Sequence, residues 1–241
     1  MIPKIIHYCW FGRNPIPADL QAYIDSWKTY CPDYEIMRWD EDSFDLTQYD
    51  FVREAYENRK WAFVTDVVRL WALYKYGGIY MDTDVEVLQP LDRFLSERGF
   101  SGFEKEDAVP TGIMAAEAGL PVIKMLLDDY EHRHFILPDG SMDLHTNVED
   151  ITAYFLERGL KLNNQKQTID GFTLYPKDWF CPLDNRTFEL KKTANTYTIH
   201  HFAGSWIEDQ SKKRNRKIKK LLGPKLTGLI VRLRDLLGLS R

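Results

Sequence analysis

Residues 77–86 of this 241-residue chain read Gly-Gly-Ile-Tyr-Met-Asp-Thr-Asp-Val-Glu, and the rest of the sequence is organised around them. Gly77 can end a helix, because glycine readily adopts the left-handed backbone that such an end requires. The apolar residues 79–81 then predict a short buried strand. Side chains alternate along a strand, so we expect Asp82 and Asp84 to share one face. Two carboxylates at this place suit a hard divalent cation that also holds phosphate oxygens.

The segment just before this stretch, residues 60–76, has the periodicity of a helix. Its apolar side chains recur at steps of three and four residues, at Trp61, Val64, Val68, Trp71 and Tyr74. Asp66 and Arg69 are one turn apart and should be neighbours on the helix. Such a pair is often a surface ion pair that contributes little to stability. Its place in an apolar helix that leads into the two carboxylates favours a role in a site.

These residues, in this order, resemble glycosyltransferase family 32. The resemblance is carried by Asp66-x-x-Arg69 and by residues 73–84, Leu-Tyr-Lys-Tyr-Gly-Gly-Ile-Tyr-Met-Asp-Thr-Asp. This DXD family contains bacterial capsule and lipopolysaccharide transferases and fungal mannosyltransferases, and it is similar to the glucosyltransferase domains of large clostridial toxins. The resemblance implies a GT-A fold, a nucleotide-sugar donor and retention of the anomeric configuration.

The resemblance also implies roles for individual residues. Asp84 should ligate Mn²⁺ or Mg²⁺ directly, and Asp82 should bind the metal or the donor ribose. Asp66 and Arg69 should hold hydroxyls of the donor sugar, with Tyr80 close by. We therefore expect Asp66, Arg69, Asp82 and Asp84 to be the catalytic set, with the metal neutralising the leaving nucleoside diphosphate.

The opening segment, residues 2–12, predicts a first buried strand that ends in a glycine turn. In the family, this strand lies under the nucleotide and the aromatic residue after it stacks on the base. The resemblance thus implies that Trp10 binds the donor base. A position in the hydrophobic core is an equal alternative for Trp10.

The segment 198–206 contains two adjacent histidines on a predicted strand, so only one of them can face the site. The family has a similar His-x-x-Gly-Ser-Trp ending. This resemblance implies that His201 is the third metal ligand, completing a mostly oxygen shell typical of Mn²⁺, with His200 as the alternative. Ser205 and Trp206 would then contact the donor phosphates.

The order of elements predicts an α/β fold. We expect strands near residues 2–12, 34–39 and 79–90, with helices at 18–30, 48–58 and 60–76 between them. This order favours a mixed central sheet with helices on both faces, the GT-A arrangement, in which ligands bind beyond the carboxyl ends of the strands.

Two further helices are predicted at 121–130 and 147–156. Asn147 is a plausible N-cap of the second helix. Related transferases place a polar residue near the donor sugar in this region, which is the alternative role for Asn147.

The C-terminal residues 208–241 differ in charge from the rest of the chain. They carry eleven Lys and Arg and three Asp and Glu, a balance of +8, whereas the total is −4, so residues 1–207 carry −12. Leucines and isoleucines recur at steps of three and four between the basic residues, and Gly223-Pro224 should kink or divide the helix. We expect a catalytic domain at 1–207 and a basic amphipathic appendage at 208–241. The appendage is predicted to dock on an anionic membrane surface, the alternative being packing on its own domain or on a second copy.

The composition is that of an ordinary globular protein, with 44% hydrophobic and 28% charged residues. Three cysteines without metal-type spacing predict a reducing compartment. The start of the sequence offers no signal peptide, and no apolar run reaches about 18 residues, the length needed to span a bilayer. We therefore expect a cytoplasmic protein, peripheral on the inner face of the cell membrane, without a nucleic-acid partner.

Together these features predict a metal-dependent retaining glycosyltransferase. It would move a sugar from a nucleotide-diphosphate donor to a glycan acceptor in surface polysaccharide synthesis. The donor we favour is a UDP-sugar, and the acceptor we favour is a lipid-linked glycan. One alternative is a phosphatase of the haloacid dehalogenase type, which also places Asp-x-Asp after a strand but needs a Thr shortly after, where this chain has Val85-Glu86. Another is a non-enzymatic scaffold at a membrane surface.

Overall fold

The computed structural model describes residues 1–105, 107–109, 112–204 and 210–237. Within them the strands are β1 (Ile5–Cys9), β2 (Glu35–Trp39), β3 (Gly78–Met81), β4 (Val85–Val87), β5 (Gly99–Gly102), β6 (Ile113–Ala116), β7 (Gln167–Ile169), β8 (Phe172–Tyr175) and β9 (Thr198–His200). The helices are α1 (Ala18–Tyr30), α2 (Asp50–Glu57), α3 (Trp61–Tyr76), α4 (Pro121–Asp128), α5 (Asn147–Glu157), α6 (Lys177–Phe180) and α7 (Gln210–Leu236), with a 3₁₀ turn at Asp92–Phe94. The helices predicted from periodicity are present, and α1 has the predicted bounds.

The central sheet is mixed, as predicted. Among the described residues it has seven strands in the order β2-β1-β3-β6-β5-β8-β7. The strands β2, β1 and β3 run parallel, whereas β6 is antiparallel to both β3 and β5. The strands β5 and β8 are parallel, and β7 closes the edge antiparallel to β8. The strands β4 and β9 form a separate antiparallel pair.

Helices pack on both faces of this sheet, which confirms the predicted α/β class. Apolar side chains of α2, α3, α4 and α5 form one buried cluster, and those of α1, α6 and the 3₁₀ turn belong to the other. Because successive strand residues point to opposite faces, Tyr80 packs with the α3 side. Its neighbours Ile79 and Met81 pack with the α1 side. The two layers therefore hold β3 from both sides.

The predicted strand over 79–90 is wrong, because the chain turns after Met81. The amide of Asp82 donates to the carbonyl of Gly112 at 2.9 Å, and the amide of Val85 donates back to the carbonyl of Asp82 at 3.0 Å. Asp and Thr favour such turns because their short polar side chains support tight backbone conformations. The turn, and not the alternation of one continuous strand, therefore sets the directions of Asp82 and Asp84.

Gly77 ends α3 as expected, with a positive φ of 66°. A side chain at this position would lie 2.7 Å from the amide of Ala118, so glycine is required by space as well as by conformation.

The helix α7 is interrupted at Gly223, whose φ is +73°, before Pro224. This confirms the predicted division of the basic tail. Leucines on both sides of the break are exposed, with 86% of Leu221 and 54% of Leu229 accessible to solvent. In the described ranges, none of the helices has the length and apolar character required to cross a membrane.

Candidate active site

A cleft of about 660 Å³ lies beyond the carboxyl ends of β1 and β3. This is the place where α/β sheets bind ligands, and the volume is in the range of small-molecule sites. The cleft is lined by the end of β1, the first half of α3, the turn after β3, the start of α5 and the segment after β9. The predicted residues that line it are Trp10, Asp66, Arg69, Tyr80, Asp82 and Asp84.

Asp66 and Arg69 form a buried pair and not a surface one. One Nη of Arg69 lies 3.2 Å from Asp66 and 3.5 Å from Asp82, and the Arg69 side chain is only 5% exposed. The guanidinium also lies over the ring of Tyr80, 4.7 Å from its centre. The hydroxyl of Tyr80 donates to Asp82 at 2.8 Å. Arg69 therefore connects the helix pair to the first carboxylate of the Asp-x-Asp turn.

Burial makes negative charge costly at this place. It raises the pKa of Asp66 to about 6, although Arg69 opposes the shift. Burial also raises the pKa of Asp82, again against the positive charge of Arg69. A cation bound beside these carboxylates would stabilise their ionised forms.

Asp84 lies in a different electrostatic environment. Burial alone would raise its pKa, but the charge and hydrogen bond of His200 and the amide of Ala203 outweigh burial and lower the pKa to about 2. The Nε2 of His200 is 3.3 Å from one Asp84 oxygen, and the Ala203 amide donates to the other at 2.6 Å. Asp84 is therefore ionised and held from two sides, by the last residue of β9 and by the segment that follows it.

Asp82, Asp84 and His200 could hold a metal ion. One ligand atom from each of the three lies within 4.8 Å of the others. Two carboxylates and one imidazole are a donor set that suits Mn²⁺, and oxygen ligands also suit Mg²⁺. The side chains present therefore fit the divalent cation that the sequence predicts.

His201 was predicted as the third metal ligand with His200 as the alternative, and of the two the structure brings His200 next to Asp82 and Asp84. The Nε2 of His201 lies 2.8 Å from Glu86, and its ring stacks on Tyr23 at 4.2 Å, away from the carboxylate pair. The reason is the pairing of β9 with β4, in which His200 lies opposite Val85. Adjacent strand residues face opposite ways, so the residue that joins the site is decided by register.

Trp10 is partly buried at the mouth of the cleft. Its ring packs against the core cluster on the α1 side, and its indole N–H donates to the carbonyl of Asn14 at 2.7 Å. Trp10 also lines the cleft. Trp10 thus packs on the core and also lines the cleft, and its stacking on a donor base stays a prediction. The predicted phosphate contacts Ser205 and Trp206 lie outside the residues that the structure describes.

Asn147 is part of the site and does not cap α5. The cap is Thr146, whose amide donates to Glu149 at 3.0 Å in a capping box. Asn147 is 1% exposed, lines the cleft and donates from Nδ2 to the carbonyl of Asp66 at 3.2 Å. Its buried Oδ1 has no hydrogen-bond partner among the described residues. The Thr-x-x-Glu spacing is the signal that could have placed the cap one residue earlier.

Two further residues of the cleft were not predicted, Glu104 and Asn185. Both follow strands on the β5 and β8 side of the sheet, far along the chain from the Asp-x-Asp turn. Neither has a local motif that would have indicated a site.

Comparison with known proteins gives the family model and the proteins to which this chain is similar. Residues 17–101 match the family described as glycosyltransferase sugar-binding region containing DXD motif. Inositol phosphoceramide mannosyltransferase 3 of Schizosaccharomyces pombe is 33% identical over 126 residues, which cover 51% of this chain and 35% of that protein. An uncharacterized glycosyltransferase of Acanthamoeba polyphaga mimivirus is 26% identical over 223 residues, which cover 86% of this chain and 84% of that protein.

Among solved structures, the galactosyltransferase LgtC in complex with donor and acceptor sugar analogs covers 93% of this chain and 95% of its own, with 14% identity and a TM-score of 0.49. The chain spans 23% to 35% of the length of several curated relatives that it matches. The family match confirms the resemblance predicted from the residues around the Asp-x-Asp turn.

Proposed function

We propose that this chain, whose residues 17–101 are a glycosyltransferase sugar-binding region containing a DXD motif, is a metal-dependent retaining glycosyltransferase. The donor is a nucleoside-diphosphate sugar, by preference a UDP-sugar, and the acceptor is a glycan. One observation carries the proposal. Asp82, Asp84 and His200 converge at the floor of the cleft, directly beside the buried Asp66–Arg69 pair.

The metal would be Mn²⁺ or Mg²⁺ held by Asp82, Asp84 and His200. When bound, it would supply positive charge to the leaving nucleoside diphosphate. Neighbouring groups of the protein fix the two carboxylates of this trio in place. Tyr80 and Arg69 fix Asp82, and the Ala203 amide fixes Asp84.

The donor sugar and base would be held by residues on both sides of the metal trio. Trp10 lies where an aromatic ring can stack on a base, and Asp66 and Asn147 lie where a sugar hydroxyl can be bound. The burial of Arg69 suggests that it mainly orients Asp66 and Asp82, with the sugar hydroxyls next to it. Ser205 and Trp206 remain the proposed contacts to the donor phosphates.

Retention would proceed by attack of the acceptor hydroxyl on the same face that the nucleotide leaves. The carboxylates of the trio and the neighbouring Asp66 are already engaged. Asp66 pairs with Arg69, Asp82 accepts from Tyr80, and Asp84 contacts His200 and Ala203. These engagements leave them poorly suited to act as a covalent nucleophile. Nuclear magnetic resonance of the product tests this, because an inverted anomeric centre would contradict it.

The basic tail supports a membrane-associated acceptor. We propose that residues 208–241, with a charge of +8 and exposed leucines, dock on anionic lipids at the inner face of the cell membrane. There the catalytic domain, residues 1–207, would meet a lipid-linked glycan in surface polysaccharide synthesis. Several relatives are named as mannosyltransferases of inositol phosphoceramide. These names are consistent with a lipid-linked acceptor for this chain.

The two alternative functions are less well supported. A haloacid-dehalogenase-type phosphatase and a non-enzymatic scaffold are both disfavoured by the family match over residues 17–101. A scaffold would also leave the buried Asp66–Arg69 pair without a purpose.

Calorimetric titration with UDP, with and without Mn²⁺, tests the proposed function, and GDP serves as the comparison. We expect UDP binding that requires Mn²⁺ and is lost in Asp84→Asn. The exposed helix residue Asp25 provides a matched control, because Asp25→Asn should bind as the wild type does. Preference for GDP would keep the mechanism but change the donor to a GDP-sugar such as GDP-mannose. Absence of metal-dependent binding to either nucleotide would overturn the proposal.

A further inference from the structure

We propose that the β5 and β8 side of the cleft binds the acceptor glycan through Glu104 and Asn185, an inference that rests on the proposed function. Both residues line the same cleft as the metal trio. Glu104 follows β5, and Asn185 belongs to the segment after α6. They would recognise sugar hydroxyls, because a carboxylate accepts hydrogen bonds from hydroxyls and an amide both accepts and donates them.

The polar groups of Glu104 and Asn185 are available to a ligand. Both residues are half-buried, and neither side chain has a hydrogen bond or ion pair within the part of the chain that the structure describes. The carboxylates around the metal trio are in contrast engaged with protein partners. A polar group that faces a cleft without a protein partner is suited to a ligand.

The end of β5, which precedes Glu104, lies at a suitable distance from the metal trio for an acceptor site. In the sheet, β6 lies between β3 and β5. Neighbouring strands are about 4.8 Å apart, so the β5 end lies roughly 10 Å from the Asp-x-Asp turn across the sheet. That distance leaves room for one donor sugar between the metal trio and the wall of the cleft that Glu104 and Asn185 form. A hydroxyl of a glycan held at the wall can then reach the anomeric carbon of the donor.

Half-buried hydrogen bonds from Lys177 join the two segments that form this wall. The ammonium of Lys177 donates to the carbonyls of Glu104, Cys181 and Leu183 at 2.6, 2.7 and 2.9 Å. It thereby ties the segment after β5 to the segment that carries Asn185. Lys177 is thus a positioning residue for the wall.

The loop that carries Asn185 is itself rigid. Asp184 accepts bonds from the amides of Arg186 and Thr187 at 2.9 and 2.7 Å and from the Thr187 hydroxyl at 3.0 Å. Leu183 pairs with Leu190 across the loop. Asn185 is therefore presented on a fixed turn, which lowers the entropy lost when a ligand binds.

The test compares the variants Glu104→Gln and Asn185→Ala with wild type. Binding of methyl α- and β-hexopyranosides, in the presence of UDP and Mn²⁺, is measured by saturation-transfer nuclear magnetic resonance. We expect at least about tenfold weaker sugar binding in each variant, the effect of losing a hydrogen bond to a ligand. UDP affinity in the presence of Mn²⁺ should change less than about twofold, since the metal trio is untouched.

One control and one further variant complete the experiment. Glu189→Gln, in the same loop but exposed and paired with Lys191, should leave sugar binding unchanged. Lys177→Met keeps the length of the side chain but removes its three bonds, so it should weaken sugar binding as both wall variants do.

Wild-type affinity in Glu104→Gln and Asn185→Ala, or no sugar binding by the wild type, would overturn the acceptor assignment. Loss of Mn²⁺-dependent UDP binding in Glu104→Gln would also overturn it, because Glu104 would then belong to the donor site. Metal-dependent UDP binding by calorimetry separates these outcomes from failure of the proposed function.

Discussion

The comparison of His200→Ala with His201→Ala tests the metal site most directly. The two histidines are adjacent in sequence, yet only His200 lies with Asp82 and Asp84. The two variants remove the same imidazole from neighbouring positions. Any difference between them must therefore come from the tertiary structure.

The expected magnitude follows from the contacts. Loss of a residue that only supports a metal ligand weakens metal binding by about 10–100-fold, so loss of the ligand His200 should reach at least about 100-fold, or about 2.8 kcal/mol. His201 bonds to Glu86 and stacks on Tyr23. His201→Ala should therefore lower the free energy of unfolding by about 1–2 kcal/mol. Its effect on Mn²⁺ affinity should stay within about threefold.

The assay is a titration with Mn²⁺ at fixed UDP, followed by the electron paramagnetic resonance signal of the free ion. Circular dichroism melts check that each variant is folded. His200→Asn, which keeps a polar side chain but does not reach as far as the Nε2 that faces Asp84, repeats the test if His200→Ala is unstable. Wild-type Mn²⁺ affinity in the folded His200 variants, with loss in His201→Ala, would refute the assignment of the trio.

Further predictions concern the groups around the site and the tail. Burial lowers the pKa of His7 to about 4 from 6.5, against its bond to the Gly77 carbonyl, so the unfolded state binds the proton first as the pH falls. The free energy of unfolding in urea should therefore drop by about 3 kcal/mol between pH 7 and pH 4 through this group. His7→Gln should lack this drop. An equal drop in the variant would contradict the assignment to His7. Gly112→Ala would place a methyl 2.7 Å from His200 Nδ1. Mn²⁺ affinity in the same titration should therefore fall at least about tenfold. An unchanged affinity would show that the His200 ring has room to move. Arg69→Met removes the positive charge beside the buried Asp66 and the half-buried Asp82 and should lower the free energy of unfolding by about 3–5 kcal/mol in urea melts. A loss below about 1 kcal/mol would mean that the pair is solvated. In flotation assays the full chain should bind vesicles of anionic but not zwitterionic lipid, and Leu229→Glu should weaken this binding, so equal binding to both vesicles would exclude the proposed docking.

The parts of the fold that follow from local chemistry were predictable from the sequence. The apolar periodicity of residues 18–30 and 60–76 specifies helices, and the glycine at 77 specifies where the second of them ends. The Asp66–Arg69 spacing places the two side chains on one helix face, as observed. Periodicity, glycine conformation and helical spacing act within a few residues, so they can be read without knowledge of the fold.

Other features were decided only when distant segments met. The choice of His200 over His201 depends on the register of β9 on β4, two strands more than a hundred residues apart in sequence. The approach of Asn147 to Asp66 depends on how α5 packs beside α3. The wall of Glu104 and Asn185 depends on three bonds from Lys177 that join separate loops.

The physical reason is the range of the interactions involved. The Asp-x-Asp turn, its preceding helix and the basic tail are encoded by neighbouring residues, so the sequence alone determined the class of fold and half of the site. The third ligand and the proposed acceptor wall require strand register and buried contacts across the sheet. A shift of one residue in that register exchanges the two faces of a strand, and no local pattern records which face will meet the cleft.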